Sequence, residues 1–287
     1  MGRLINYARL VKFEHTIFAL PFALIGFFMA LQETSSTLSL KLLVLVLLCM
    51  VFARNAAMGF NRYLDREFDK MNPRTAVREI PAGVLTARSV LFYVVLNSAL
   101  FIVATWFINE LCFFLSPVAL FVILFYSYTK RITPLCHFVL SMGLAIAPIG
   151  AYLAVAGKFS WLPLLLSAVV FFWVSGFDII YALQDEGFDK SQKLKSVPSL
   201  LGINRALTAA KVIHVFSAAF VLAIAMLMPA GILQWIGSLI FIALLAYQHL
   251  LVKPDDLSRV NAAFFTTNGI ASVIYGALMI AGFYLLF

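Results

Sequence analysis

Charge is what this chain has least of. Only 12% of its 287 residues are Asp, Glu, Lys or Arg, while 63% are hydrophobic. A soluble domain carries about twice that charge, so a soluble surface is excluded. The length that would suggest two soluble domains fits a single bundle in a bilayer. Cysteine is nearly absent. Cys49, Cys112 and Cys136 lie too far apart for a zinc motif or a disulfide framework and read as isolated thiols. The four histidines, His15, His137, His214 and His249, do not pair at metal-binding spacing and read as hydrogen-bonded packing residues. A cleavable signal is also lacking: the first apolar run has no small-residue cleavage site and further spans follow it, so it reads as a retained helix.

Long apolar runs, by contrast, are plentiful. A membrane span needs about 20 apolar residues, and about nine runs meet that criterion, near 16–31, 40–60, 89–107, 111–128, 137–156, 161–183, 206–228, 231–251 and 262–287. Each is expected to be helical, because a lone strand cannot satisfy its backbone in lipid. The fold class is therefore an all-α, multi-pass membrane protein, one transmembrane domain over 1–287. The abundant phenylalanines, 28 of them, suit walls that face lipid.

The formal net charge of +8 does not point to nucleic acid, because the bases sit in short loops between spans. Arg3, Arg9 and Lys12 precede the first span. Arg62, Arg66, Lys70, Arg74, Arg78 and Arg88 follow the second, Lys130 and Arg131 the fourth, Lys190, Lys193, Lys195 and Arg205 the sixth, and Lys253 and Arg259 the eighth. All fall on one side, and little beyond Lys41 and Lys158 lies opposite. By the positive-inside rule that side is cytoplasmic, with the N-terminus inside and, for nine spans, the C-terminus outside. The acids share that side, except Glu33 and Glu110. Acids have little influence on topology, so their placement asks for a functional reason.

Two segments on the charged side are long, 61–88 and 184–205, and each begins with an acidic motif where a helix ends. In the first, Asn61, Asp65 and Asp69 recur at i, i+4 and i+8, one stripe of a helix. In the second, Asp178, Asp185 and Asp189 recur at i, i+7 and i+11, nearly whole turns, and are expected to share a stripe as well. Like charges at that spacing repel, and the dipole of a helix C-terminus adds to the repulsion. A cation relieves both. Oxygen donors without thiol or imidazole suit Mg²⁺, which takes one or two carboxylates and completes its shell on substrate phosphates. The plainer reading is of solvated acids paired with Arg62, Arg66 and Lys190. Two such stripes on separate helices weigh against it, as does Asp178, which lies within an apolar run, where a charge is costly and marks a functional site.

Basic residues accompany the acids. Arg74 and Arg78 are four apart and offer the forked donors that fit phosphate oxygens. Lys130 and Arg131 follow Tyr126-Ser127-Tyr128-Thr129 at the end of the fourth span. For these the plain alternative is topological ballast. Arg54 lies inside the second span, about two turns before Asn61, and needs an anionic partner: a substrate carboxylate, or Asp178 as a structural ion pair.

Together these motifs carry a resemblance. Asn61-x-x-x-Asp65-x-x-x-Asp69 with Arg74-Thr75, Arg78 and Pro81-Ala82-Gly83 resembles the first signature of the UbiA family of membrane prenyltransferases. Asp178-x-x-Tyr181-Ala182-x-x-Asp185-x-x-x-Asp189 resembles the second, and Tyr126-x-x-x-Lys130-Arg131 is similar to a third element. The order of motifs and the number of spans extend the likeness over nearly the whole chain. The resemblance implies a helical bundle in a bacterial inner or plasma membrane, its central cavity opening to the cytoplasm and laterally to lipid, with segments 61–88 and 184–205 capping the active site. It implies Mg²⁺-dependent transfer of a polyprenyl group from polyprenyl diphosphate to an aromatic acid. Asn61, Asp65 and Asp69 would bind one Mg²⁺–diphosphate face, and Asp185 and Asp189 the other. Arg74, Arg78 and Lys130 would contact the diphosphate, and Tyr126 would lie near the developing allyl cation. Arg131, Asp178 and Arg54 would belong to the acceptor side, with Asp178 or a water taking the ring proton.

Within the family, Tyr126 to Arg131, His137 and Ala147-Pro148-Ile149-Gly150-Ala151 resemble the bacterial 4-hydroxybenzoate polyprenyltransferase branch, which implies a place in ubiquinone biosynthesis. Asn61-Arg62 replaces the Asn-Asp start common elsewhere and leaves open a dihydroxynaphthoate acceptor in menaquinone biosynthesis. From other classes, a secondary transporter would place its ionisable groups near the midplane, whereas most acids here lie at one face. A phospholipid synthase would carry an Asp-Gly-x-x-Ala-Arg element, which the sequence lacks.

Overall fold

The computed structural model describes residues 2–12, 16–228 and 231–285; His15 and the last residues of the ninth predicted span lie outside them. The chain forms α1 (Gly2–Leu10), α2 (Leu20–Thr34), α3 (Leu40–Met71), α4 (Ala87–Trp106), α5 (Glu110–Ile132), α6 (Cys136–Ala156), α7 (Trp161–Ala182), α8 (Glu186–Ser191), α9 (Val197–Leu201), α10 (Ile203–Leu227), α11 (Ile232–Leu251) and, after a π-helical turn at Ala262–Thr267, α12 (Asn268–Tyr284). Among the described residues, extended pairing is limited to one isolated bridge, Lys253 with Asp256. Eight helices are long and apolar enough to cross a membrane, and the chain is an integral membrane protein. The remaining predicted span, 16–31, appears as α2, apolar but only 15 residues long. It starts at Leu20 because Pro21, which has no N–H to give, occupies the first turn of a helix without cost.

The helices gather into two compact units, Met1–Thr16 with Leu40–Tyr128, and Ile17–Ser39 with Thr129–Phe287. In the first, α3 and α4 are joined in the apolar region by Asn55 Nδ2, which donates to Asn97 Oδ1 at 3.0 Å. Asn97 Nδ2 in turn donates to the Tyr93 carbonyl at 2.8 Å, so both amides are satisfied where water is absent. Around them pack Cys49, Phe101, Leu120 and Ile123. Pro117 lies inside α5 and cannot bond the carbonyl of Phe113. Ser116 Oγ donates to that carbonyl instead, at 2.8 Å, the kind of repair that lets proline sit in a membrane helix.

The second unit is built around α7, whose Trp173 and Phe177 meet Phe18, Phe22, Phe241 and Phe264 in a buried aromatic cluster. The π-turn shifts the backbone register, and Asn268 Nδ2 donates to the carbonyls of Ala263 and Phe264 while its Oδ1 accepts from Trp173 Nε1 at 2.7 Å. The wider turn is thus locked to α7. Helices α2 and α6 approach so closely that a Cβ on Gly26 would collide with the Pro148 carbonyl. Gly150, nearby on α6, has nothing within 4 Å of such an atom. Gly26→Ala is therefore expected to cost roughly 1–3 kcal/mol through overpacking against rigid backbone, whereas Gly150→Ala leaves stability unchanged or slightly raised. Thermal unfolding of the two purified variants in detergent checks the contrast; equal midpoints would refute the close packing.

Candidate active site: two carboxylate half-sites

The first half-site stands on the end of α3. A helix of 32 residues is about 48 Å long, well beyond the roughly 30 Å of bilayer hydrocarbon. The apolar run stops near Phe60, but backbone hydrogen bonding does not, so Asn61, Asp65 and Asp69 lie on helix, not in a loop. Asn61 Nδ2 donates to Asp65 Oδ2 at 2.9 Å, which places the first two members of the stripe side by side. Asp69 is 6% exposed. Pro73 cannot prolong the helix, and the chain turns: Asn72 Oδ1 accepts from the Arg74 amide at 3.0 Å, and Thr75 Oγ1 donates to the Asp69 carbonyl at 3.1 Å. These turns carry Arg78 back to Asp69, where its terminal nitrogen donates to Oδ1 at 2.6 Å. The other oxygen, Asp69 Oδ2, is buried and has no hydrogen-bond partner among the described residues.

Other predicted residues of this unit are placed differently. Arg74 is exposed, whereas Arg78 is half-buried. Tyr126 is half-buried on α5. Arg62 is 6% exposed and lies in the field of Asp69, Glu79, Tyr126 and Arg78, not in a solvated surface pair. Arg66 lies 4.8 Å over the Tyr63 ring and pairs with Glu67. Arg54 donates to the carbonyls of Val11 and Lys12 at 3.2 and 2.8 Å.

The second half-site joins the end of α5, the start of α6 and the segment after α7. Asp189 is completely buried. Its Oδ1 lies 2.7 Å from Lys130 Nζ, a contact of charge without hydrogen-bond direction, and its Oδ2 accepts from Ser196 Oγ at 3.0 Å. The segment is tied to α5 by the Lys195 amide on the Lys130 carbonyl at 2.7 Å and by Lys195 Nζ on the Ile132 carbonyl at 2.9 Å. Arg131 is half-buried. Asp178, one-fifth exposed, faces His137, with Oδ2 2.6 Å from Nδ1. The single stripe expected over Asp178, Asp185 and Asp189 is interrupted. α7 ends at Ala182, and Leu183–Asp185 wind as a 3₁₀ turn, which has three residues per turn instead of 3.6. Asp185 is buried at the start of α8, and Asp178 keeps a separate partner.

Sequence reasoning used His137 only in the branch resemblance and missed its pairing with Asp178, and it overlooked Ser196 and the burial of Arg62. The available signals were weak: a histidine opening a span on the charged side, and the Ser196-Val197-Pro198-Ser199 capping pattern before α9.

Among the described residues no three His, Cys, Asp or Glu side chains gather closely enough to cage a metal ion. That argues against a site closed by protein ligands alone, and it fits a cation that shares its shell with a phosphorylated substrate. The buried, unbonded Asp69 Oδ2 is a hard oxygen donor suited to such a cation.

This architecture has close counterparts. The chain is 31% identical over 241 residues to the 4-hydroxybenzoate octaprenyltransferase of Tolumonas auensis, covering 83% of this chain and 84% of that protein. It matches the apo structure of a UbiA homologue from Aeropyrum pernix with a TM-score of 0.84 at 32% identity, over 93% of this chain and 98% of the other. A UbiA homologue from Archaeoglobus fulgidus bound to DMAPP and Mg²⁺ shares the fold at 22% identity, with a TM-score of 0.77 over 98% of this chain and all of the other. The UbiA prenyltransferase family profile matches residues 19–270, and the chain belongs to that family of membrane prenyltransferases.

Proposed function

We propose that the protein transfers a polyprenyl group from a polyprenyl diphosphate to an aromatic acid, in the manner that the name of its Tolumonas relative gives for 4-hydroxybenzoate, with Mg²⁺ and at the cytoplasmic membrane face. The observation that carries this reading is the repeated pairing of a buried aspartate with a base from outside its own acidic stripe, Asp69 with Arg78 and Asp189 with Lys130. Asp69 keeps its other oxygen, Oδ2, unbonded among the described residues, whereas Asp189 Oδ1 is held by the Lys130 ammonium. A diphosphate carrying Mg²⁺ offers each carboxylate a cation and each base a phosphate oxygen, so charge stays balanced as partners exchange.

Asn61, Asp65 and Asp69 in one half-site, and Asp185 and Asp189 in the other, would hold the ions. Bound Mg²⁺ would supply electrostatic neutralisation of the leaving diphosphate. Arg78 and Lys130 stabilise the negative charge that builds on its oxygens; Arg74, in the same turn segment as Arg78, steers the anion from the exposed side. The C1–O bond breaks and its electron pair leaves on diphosphate. A ring carbon ortho to the phenol oxygen forms the new bond to C1, the ring proton passes to Asp178, and aromaticity is restored. The products are the prenylated acid, diphosphate and one proton. Tyr126 offers its ring face to the allylic cation. Arg131 and Asp178 serve the acceptor, and the lipid bilayer houses the prenyl tail. The basic loops support a cytoplasmic N-terminus, and segments 61–88 and 184–205 cap the site.

Purified protein in nanodiscs, given Mg²⁺, geranyl diphosphate and a panel of aromatic acids that includes 4-hydroxybenzoate and a dihydroxynaphthoate, should yield a prenylated acid detectable by mass spectrometry. Asp65→Ala and Asp185→Ala should each abolish that product in folded protein, and chelation by EDTA should do the same. Full turnover in either variant, or turnover without divalent cation, would overturn the reading.

A further inference from the structure

The hydrogen-bond geometry fixes the tautomer of His137, a histidine to which the proposed reaction gives no role. Val197 is the first residue of α9, so its N–H has no partner inside that helix. It donates to His137 Nε2 at 3.3 Å. A backbone amide can only donate, so Nε2 carries the lone pair and the ring proton sits on Nδ1. Nδ1–H therefore donates to Asp178 Oδ2 at 2.6 Å. The imidazole is 3% exposed and both its nitrogens are occupied.

The peptide that aims the Val197 amide is fixed in turn. Ser196 Oγ donates to Asp189 Oδ2 and accepts from the Ser199 amide at 3.2 Å, while the Ser196 amide donates to Ser199 Oγ at 2.8 Å. An unbroken chain thus runs from Lys130 through Asp189, Ser196, Val197 and His137 to Asp178, within one compact unit. Oδ2 of Asp178 is committed to His137, and Oδ1 bonds no described residue. We propose that His137 is a positioning residue for the acceptor half of the reaction: its neutral Nδ1–H form holds Asp178 with Oδ1 turned to the acceptor, and the segment carrying Asp189 holds the imidazole in that form. This rests on the role given to Asp178 above.

Three substitutions separate the two bonds of the ring. His137→Asn places an amide N–H where Nδ1–H stands and keeps the grip on Asp178. His137→Gln reaches the Nε2 position, keeps an acceptor for Val197 and loses Asp178. His137→Phe loses both. Removal of such an orienting partner costs roughly 10–100-fold in activity. The expected result is a fall of about that size in kcat for Gln and Phe, retention within a few-fold for Asn, and an unchanged KM for geranyl diphosphate in all three. If the Phe variant does not fold, the Asn and Gln pair carries the comparison. Equal kcat in Asn and Gln, or a rise in the KM for geranyl diphosphate that matches the fall in kcat, overturns the positioning role. Asp178→Asn tests the reading beneath it: wild-type turnover in that variant removes Asp178 from the reaction and His137 with it.

Discussion

Asp69→Asn should lower kcat/KM for prenyl transfer by about 10²–10³-fold, the scale set by removing one preorganised electrostatic group from a developing charge, while the protein still folds. The asparagine keeps the shape, and its carbonyl oxygen still accepts from Arg78, so the turn through residues 72–78 has no reason to open. What is lost is the negative charge and the donor strength of the buried Oδ2. The half-site is then left with a net positive charge from Arg78 and Arg62, which favours a bare diphosphate and disfavours its Mg²⁺ complex. The loss should therefore come with a raised Mg²⁺ requirement, seen by titrating the metal at saturating geranyl diphosphate. Arg78→Lys keeps the charge without the fork and should fall between wild type and Arg78→Ala. An Asp69→Asn enzyme with normal turnover and normal Mg²⁺ dependence would separate the first motif from the chemistry.

The fold was legible because membrane helices must satisfy their own backbones. Hydropathy alone therefore located the long helices, several of them to within a residue or two at both ends: 161–183 against Trp161–Ala182, and 137–156 against Cys136–Ala156. Hydropathy failed where polarity and backbone part company. It ended the second span at Phe60, though α3 runs on to Met71, and it left 184–205 as loop, though α8, α9 and the start of α10 fill it. Both are amphipathic stretches at the membrane edge, where a helix needs no apolar content. In the site, local pairs were legible from helical spacing, as with Asn61 and Asp65. Pairs made by chain reversal were not: Arg78 returns to Asp69 through a run of turn bonds, and Lys130 meets Asp189 from 59 residues away. The link between His137 and Asp178 was hidden for the same reason, because no spacing rule connects the start of one span to the end of the next.

The Lys130–Asp189 pair allows its structural and chemical duties to be separated. Asp189 has no solvent contact, and Lys130 is 34% exposed. Lys130→Met strands a fully buried carboxylate and should be the more damaging single change. Asp189→Leu strands a partly exposed ammonium and also loses the Ser196 bond. It should cost roughly 3 kcal/mol, the lower end for breaking a buried pair, since water can still reach the lysine. The double variant removes both charges, and an apolar pair of similar volume is often as stable as the ion pair it replaces. Thermal midpoints should then rank wild type and the double variant together, Asp189→Leu below them and Lys130→Met lowest. Activity should not follow that order: if the pair binds the diphosphate complex, the double variant is stable and inactive, with no product from geranyl diphosphate at any Mg²⁺ concentration. Turnover that recovered along with stability would reduce the pair to a clamp on the segment after α7 and take the second half-site out of the reaction.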